Sequence, residues 1–188
     1  MYMPQIIEQT GRSKRSFDIV SKLYEQNAIM LFEEIDDDTS FKIITQLLYL
    51  DSLDTDDDIK LYINSPGGVV TAGLSIIDTM NSLRRKVQTI GIGQCASMGA
   101  MILCCGTGTR KSLKNTRIMF HSVSGGFIGN IHDHKINFEE TNFLQKKLMT
   151  MISDKSKLSV SEVERMTERD KFLSADQCII HGFLDEII

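Results

Sequence analysis

Ser97 stands in the stretch Gln94-Cys95-Ala96-Ser97-Met98-Gly99-Ala100, directly after the short apolar run Val87 to Ile92. The run reads as a buried strand and the small, apolar residues through Cys105 as a helix, so the serine falls where a strand turns into a helix. A hydroxyl placed there meets free backbone N–H groups and the positive end of the helix dipole, which together stabilise an oxyanion. The chemistry implied is nucleophilic attack on a carbonyl. Serine is also among the commonest helix N-caps, so this reading requires the rest of the chain to supply a base, an orienting acid and a second oxyanion donor.

Three segments share one plan that positions such groups. Asp58 to Asn64 alternates apolar and polar residues as a strand does, and is followed by Ser65-Pro66-Gly67-Gly68 and an amphipathic helix from Val69 to Leu83. Val87 to Gly93 is a second strand, ending in the Ser97 loop; Arg117 to Phe120 is a third, ending at His121-Ser122-Val123-Ser124-Gly125-Gly126. Strand, short loop and helix in repetition imply parallel strands with right-handed crossovers. The loops beyond their carboxyl ends then lie on one side of the sheet. Gly67-Gly68, Ser97 and His121 all fall at those ends.

Other elements frame this plan. Thr39 or Ser40 is placed to cap a helix whose stripe Phe41, Ile44, Leu47 and Leu48 faces the core. Lys135 to Lys155 carries Ile136, Phe143, Leu144, Leu148, Met151 and Ile152, and reads as a long helix that is either a core element or a projecting arm. Ser159 with Glu162 and Ser174 with Gln177 form capping boxes for two short helices, leaving Glu168-Arg169-Asp170 in the connection between them.

Composition narrows the function. A chain of 188 residues with 41% hydrophobic content closes one core, and a single α/β domain is expected. A formal charge of -4 and a pI near 5.6 argue against nucleic-acid binding. The basic clusters Arg12, Lys14, Arg15 and Arg84-Arg85-Lys86, and the acidic runs Asp36 to Asp38 and Asp56 to Asp58, read as solvated faces and loops. Cys95, Cys104, Cys105 and Cys178 lack zinc-like spacing, and Cys104-Cys105 are too close for an ordinary bridge, so reduced, buried thiols in a cytoplasmic protein are expected. The N-terminus lacks a signal-peptide pattern, and no apolar run reaches the ~20 residues of a membrane span. His132-Asp133-His134 alternates suggestively but has no third ligand nearby, so no metal is expected. His181 reads as structural, and the methionines as core filling.

Asn64-Ser65-Pro66-Gly67-Gly68, Gln94-x-Ala96-Ser97-Met98-Gly99-Ala100, His121 followed by Gly125-Gly126, and Thr167-Glu168-Arg169-Asp170-x-Phe172-Leu173-Ser174-Ala175 resemble, in order, the signatures of the ClpP family, the proteolytic subunit of the Clp protease. Ile6 to Thr10 and Arg15 to Ile19 resemble its N-terminal segment, so the likeness runs end to end. The resemblance implies one ClpP/crotonase-like α/β domain over residues 1–188, built of repeated β-β-α or β-α units. It also implies an N-terminal axial segment at 1–16 and a projecting handle helix within a handle region at about 122–157. It implies Ser97 as nucleophile, His121 as base and Asp170 as orienting acid, with the Gly68 and Met98 N–H groups as the oxyanion hole. Gly67, Gly125 and Gly126 would line extended substrate, and no cofactor is implied. Glu168 and Arg169 would make the ring-to-ring contact of two stacked heptameric rings, fed with unfolded polypeptide by an ATP-dependent AAA+ unfoldase.

The sequence departs from the family in two places. The catalytic histidine is commonly followed there by Gln-Pro, and here by Ser122-Val123. At the unfoldase-docking positions Lys60, Ser82 and Lys111 replace residues that are usually aromatic, while Tyr62, Ile90, Ile92 and Leu113 keep the apolar part. Loss of a buried aromatic contact forfeits ~2–4 kcal/mol per site. The expectation is poor or selective docking, as in a divergent second paralogue acting in a mixed ring with a more typical ClpP. A crotonase-like acyl-CoA enzyme is the alternative on the same fold, but it needs no serine at 97.

Overall fold

The computed structural model describes residues 4–10 and 13–188. Arg12 and the first three residues of the N-terminal segment lie outside the described residues. The order begins with the antiparallel pair β1 (Gln5–Thr10) and β2 (Ser13–Asp18), then α1 (Ile19–Tyr24), β3 (Ala28–Leu31), α2 (Asp37–Asp51), β4 (Ile59–Ser65) and α3 (Val70–Ser82). It continues through β5 (Val87–Ala96), α4 (Met98–Cys104), β6 (Arg110–Ser112), β7 (Arg117–Phe120) and α5 (Ile131–Asp154). It ends with α6 (Val160–Thr167), β8 (Lys171–Ser174), α7 (Ala175–His181) and β9 (Glu186–Ile187).

The sheet runs β3-β4-β5-β6-β9 with parallel pairings throughout. Alternation explains its burial. In β4, Ile59, Leu61, Ile63 and Ser65 point into the core, while Lys60 is exposed and Tyr62 and Asn64 are half-buried. Each fully buried Ile or Leu side chain contributes about 1.5–3 kcal/mol. Helix α4 is buried at every position, so its run of Met, Gly, Ala, Ile, Leu and Cys packs on all sides.

The ten-residue β5 extends beyond the predicted end at Gly93 because it serves two neighbours. Its first half pairs with β4 and β6, and Gln94, Cys95 and Ala96 pair with Arg117, Ile118 and Met119 of β7. The antiparallel β8 then adds to β7.

Several expectations need correction. Asp36 caps α2 by accepting from the Thr39 N–H at 2.8 Å, and Thr39 and Ser40 are buried inside the helix. The core face of α2 is Ile43, Leu47 and Leu50; Phe41 and Leu48 are exposed. Arg84 and Lys86 are exposed, whereas Arg85 is not part of a solvated face. Arg84 pairs with Asp56 at 2.6 Å, and Arg85 is buried, donating to the carbonyls of Leu50 and Asp57 and to Asn27 Oδ1. Helix α5 starts four residues early because Asn130 and Asp133 form a capping box. His132 to His134 therefore belong to its first turn rather than preceding the helix. Only Leu148, Met149 and Ile152 of α5 are buried; Ile131, Ile136, Phe138 and Phe143 lie on its surface. The C-terminal end of the helix is thus a core element, and its N-terminal part is exposed. His181 stacks at a tilt on Phe183, with ring centroids 5.8 Å apart.

Candidate active site

The split pairing of β5 places the serine. Ala96 is in register with Met119, and the Ser97 N–H donates to the Met119 carbonyl at 2.8 Å, so the chain leaving β5 lies beside the chain leaving β7. Ser97 holds φ +52° and ψ −123°, a conformation rarely taken by a residue with a side chain. It occupies the N-cap position of α4, yet its hydroxyl caps nothing. Instead Ser97 Oγ lies 2.8 Å from His121 Nε2, the next residue but one after Met119. The Ser97 hydroxyl and the His121 ring are thus hydrogen-bond partners.

Asp170 reaches the histidine by strand pairing. Phe120 is the cross-strand partner of Lys171, so His121 and Asp170 are the next pair outward. The Nδ1 to Oδ1 separation is 3.9 Å, which is ion-pair range and too long for a hydrogen bond; the Asp170 side chain is 63% exposed and that of His121 23%.

Gly67 and Gly68 arrive from the end of β4. The Ile35 N–H donates to the Gly67 carbonyl at 2.9 Å and the Val69 N–H to the Ile35 carbonyl at 2.7 Å, so Gly68's own N–H takes part in neither bond. The Gly67 N–H is occupied by Ser65 Oγ at 3.1 Å, which leaves Gly68 the better donor of the two. A Cβ built on Gly67 would lie 3.0 Å from the Met98 nitrogen, so the two proposed donor segments are neighbours.

Beside Ser97 is a cavity of about 70 Å³. Its apolar wall is Val70, Met101, Phe120, Leu148, Met149 and Ile152, with Met98 and Val123 also lining it. Sequence reasoning missed this wall. The spacing of Leu148 and Ile152 at i and i+4 marks a helix face, but that face reads as core until the helix is seen to border the serine.

Not every predicted residue joins the site. Gly125 and Gly126 are exposed in the irregular segment 121–130 and do not line the cavity. Glu168, the C-cap of α6, and Arg169 are exposed next to Asp170. Tyr62, Ile90 and Lys111 fall in one cross-strand row, with Ile90 buried, and Lys111 Nζ pairs with Glu186 Oε2 at 3.1 Å. Lys60 is exposed two residues before Tyr62, Ile92 is half-buried, Leu113 is exposed, and Ser82 is the exposed last residue of α3. The four cysteines are free and buried. Burial pushes the Cys95 and Cys178 thiols up to about 12 and Cys105 to about 11.

A family model described as Clp protease matches residues 11–188. The chain belongs to the Clp protease family. It is therefore a peptidase of a family that works as oligomeric assemblies with an ATPase partner, and its parallel α/β architecture agrees with the ClpP/crotonase-like fold. Among the described residues, no helix is long and apolar enough to cross a membrane.

Proposed function

We propose that the chain is a serine endopeptidase acting through an acyl-enzyme, and the observation that carries this reading is the 2.8 Å contact between Ser97 Oγ and His121 Nε2 at a residue with positive φ. Ser97 Oγ attacks the scissile carbonyl while its proton passes to His121 Nε2. The carbonyl oxygen, now negative, is held by the Gly68 and Met98 N–H groups. Collapse breaks the peptide bond, and the amine leaves with the proton from His121. Water then reverses the sequence, and Asp170 stabilises the imidazolium on each pass. The apolar cavity beside Ser97 suits an apolar side chain next to the cleaved bond, and Gly67, which has no side chain to block the approach, accepts extended backbone. A crotonase-like acyl-CoA hydratase or isomerase, which polarises its thioester through backbone N–H groups, needs no serine nucleophile at 97.

The assembly proposed is two stacked heptameric rings, a cytoplasmic tetradecamer serving protein quality control with an AAA+ unfoldase. The described residues of the N-terminal segment, 4–10 and 13–16, form its axial segment and about 122–157 its handle. The exposed Ile131, Ile136, Phe138 and Phe143 of α5 support burial against another copy, and Glu168 and Arg169 lie where ring contact would couple to Asp170. A second reading, a divergent paralogue working in a mixed ring, is favoured by the open Asp170 pair and by the Lys111–Glu186 ion pair in the docking row.

Covalent labelling by a fluorophosphonate tests both. Label on Ser97 that disappears in Ser97→Ala and His121→Ala is expected; an unlabelled chain, alone and with a typical ClpP ring, would refute the serine mechanism. Labelling that appears only in the mixture selects the second reading.

A further inference from the structure

The two residues after His121 are each tied to a different helix. Ser122 Oγ donates to the Thr167 carbonyl at 2.9 Å. Thr167 ends α6, is fully buried, donates its own Oγ1 to the Val163 carbonyl at 2.9 Å, and lies three residues before Asp170. The Val123 N–H donates to Gln145 Oε1 at 2.7 Å. Gln145 is on α5, one turn before Leu148 and Met149 of the cavity wall. Past these two bonds the chain runs without regular structure to the start of α5.

This anchorage matters because only one of the two imidazole nitrogens is within hydrogen-bond distance of a side chain. An imidazole is placed by its backbone, its two side-chain torsions and its hydrogen bonds. Nε2 has Ser97, but Nδ1 is 3.9 Å from a carboxylate that is itself 63% exposed. The main chain behind the ring supplies a further restraint. We propose that Ser122 and Gln145 are positioning residues that clamp the backbone behind His121, one against the segment carrying Asp170 and one against the cavity wall. The proposal rests on the reading of Ser97 and His121 as nucleophile and base. It also gives Val123 a reason: a proline at that position has no N–H to donate.

Because the clamp acts chiefly through His121, its loss should slow acylation more than it weakens binding. The test uses the full chain and four variants, Gln145→Leu, Gln145→Glu, Ser122→Ala and Ser122→Thr. Fluorophosphonate acylation of Ser97, kcat and KM on a fluorogenic peptide, and amide exchange over residues 121–127 are measured on each. Gln145→Leu and Ser122→Ala should each lose about five- to tenfold in acylation rate and kcat, the worth of one hydrogen bond, with KM within about twofold. Gln145→Glu keeps the acceptor and Ser122→Thr the hydroxyl, and both should restore the rate. Val123 amide exchange should quicken in Gln145→Leu and not in Gln145→Glu. Acylation at the parent rate in Gln145→Leu, a change in KM alone, or an unprotected Val123 amide in the parent overturns the proposal. A parent chain that never labels at Ser97 defeats the peptidase reading and the positioning role with it, while the exchange data still separate a clamp that only packs from no clamp at all.

Discussion

Gly67 and Ser97 approach so closely that a Cβ built on the glycine would lie 2.6 Å from the serine Cβ and 2.7 Å from the Ala96 carbonyl oxygen, at a φ of +97°. Only a residue without a side chain lets the turn after β4 rest on Ser97. Gly67→Ala must therefore push the two segments apart and accept a backbone strain of about 1–3 kcal/mol. The Gly68 N–H moves away with its neighbour, and losing one oxyanion donor costs about 10²–10³ in rate. The expected outcome is a melting temperature several degrees lower and peptidase activity down by at least about 10². Differential scanning fluorimetry and a fluorogenic peptide assay check it; an active, equally stable Gly67→Ala would show that Gly67 does not support the oxyanion site.

Asp170→Asn should cost less than in a triad whose acid is buried. At 3.9 Å and 63% exposure the carboxylate acts through a solvent-screened field rather than a hydrogen bond. The predicted fall in kcat is about two- to fivefold, shrinking as salt is raised, whereas the closed arrangement loses about 10⁴. Steady-state kinetics at low and high ionic strength decide between these. A fall near the larger figure would mean that the acid closes onto the imidazole in the assembled enzyme.

The sequence carried the parallel plan and the strand-end positions of Gly67, Ser97 and His121, because strand alternation and glycine pairs are local signals. By local pattern Asp170 was one loop acid among many, and only the family resemblance singled it out; the Phe120 to Lys171 register that brings it to His121 is a contact 51 positions apart in the chain. The cap of α2 was misplaced because Asp36 sits in an acidic run that looks solvated. Arg85 was misread for the same reason, since a charged side chain announces its charge but not the carbonyls that surround it. The clamp at Ser122 and Val123 was invisible, because a backbone N–H meeting a glutamine 22 positions on leaves no periodic trace.

The buried thiols set an alkaline limit on stability. Cys95 and Cys178 are pushed up to about 12 and Cys105 to about 11 from an ordinary value of 9.0 because burial penalises the thiolate. Above the ordinary value the unfolded chain loses these protons while the folded chain keeps them, so stability is full below about pH 9 and falls as pH rises toward the folded values. Urea midpoints should drop between pH 8.5 and 10.5, and Cys95→Ala with Cys178→Ala should flatten that slope. The same burial predicts that iodoacetamide leaves all four cysteines of the native chain unmodified at pH 8 and alkylates them after denaturation.

In the row Tyr62, Ile90, Lys111 and Glu186, an ion pair occupies the position next to an apolar strip. The Lys111 and Glu186 side chains are 24% and 50% exposed, so their 3.1 Å contact adds little to folding, typically under about 1 kcal/mol. To an incoming hydrophobic loop, however, the pair is a penalty, because docking must strip water from both charges without replacing it. Lys111→Tyr removes that cost and extends the apolar strip, and a contact of this kind is worth about 2–4 kcal/mol at an interface. With several copies in a ring the gain multiplies through avidity. The expected result is a rise of at least about tenfold in the ratio of ATP-dependent degradation of a folded protein to ATP-independent peptide cleavage. Lys60→Tyr combined with Lys111→Tyr should raise it further. If the ratio stays flat in both variants with a range of AAA+ unfoldases, this row is not where the partner ring binds.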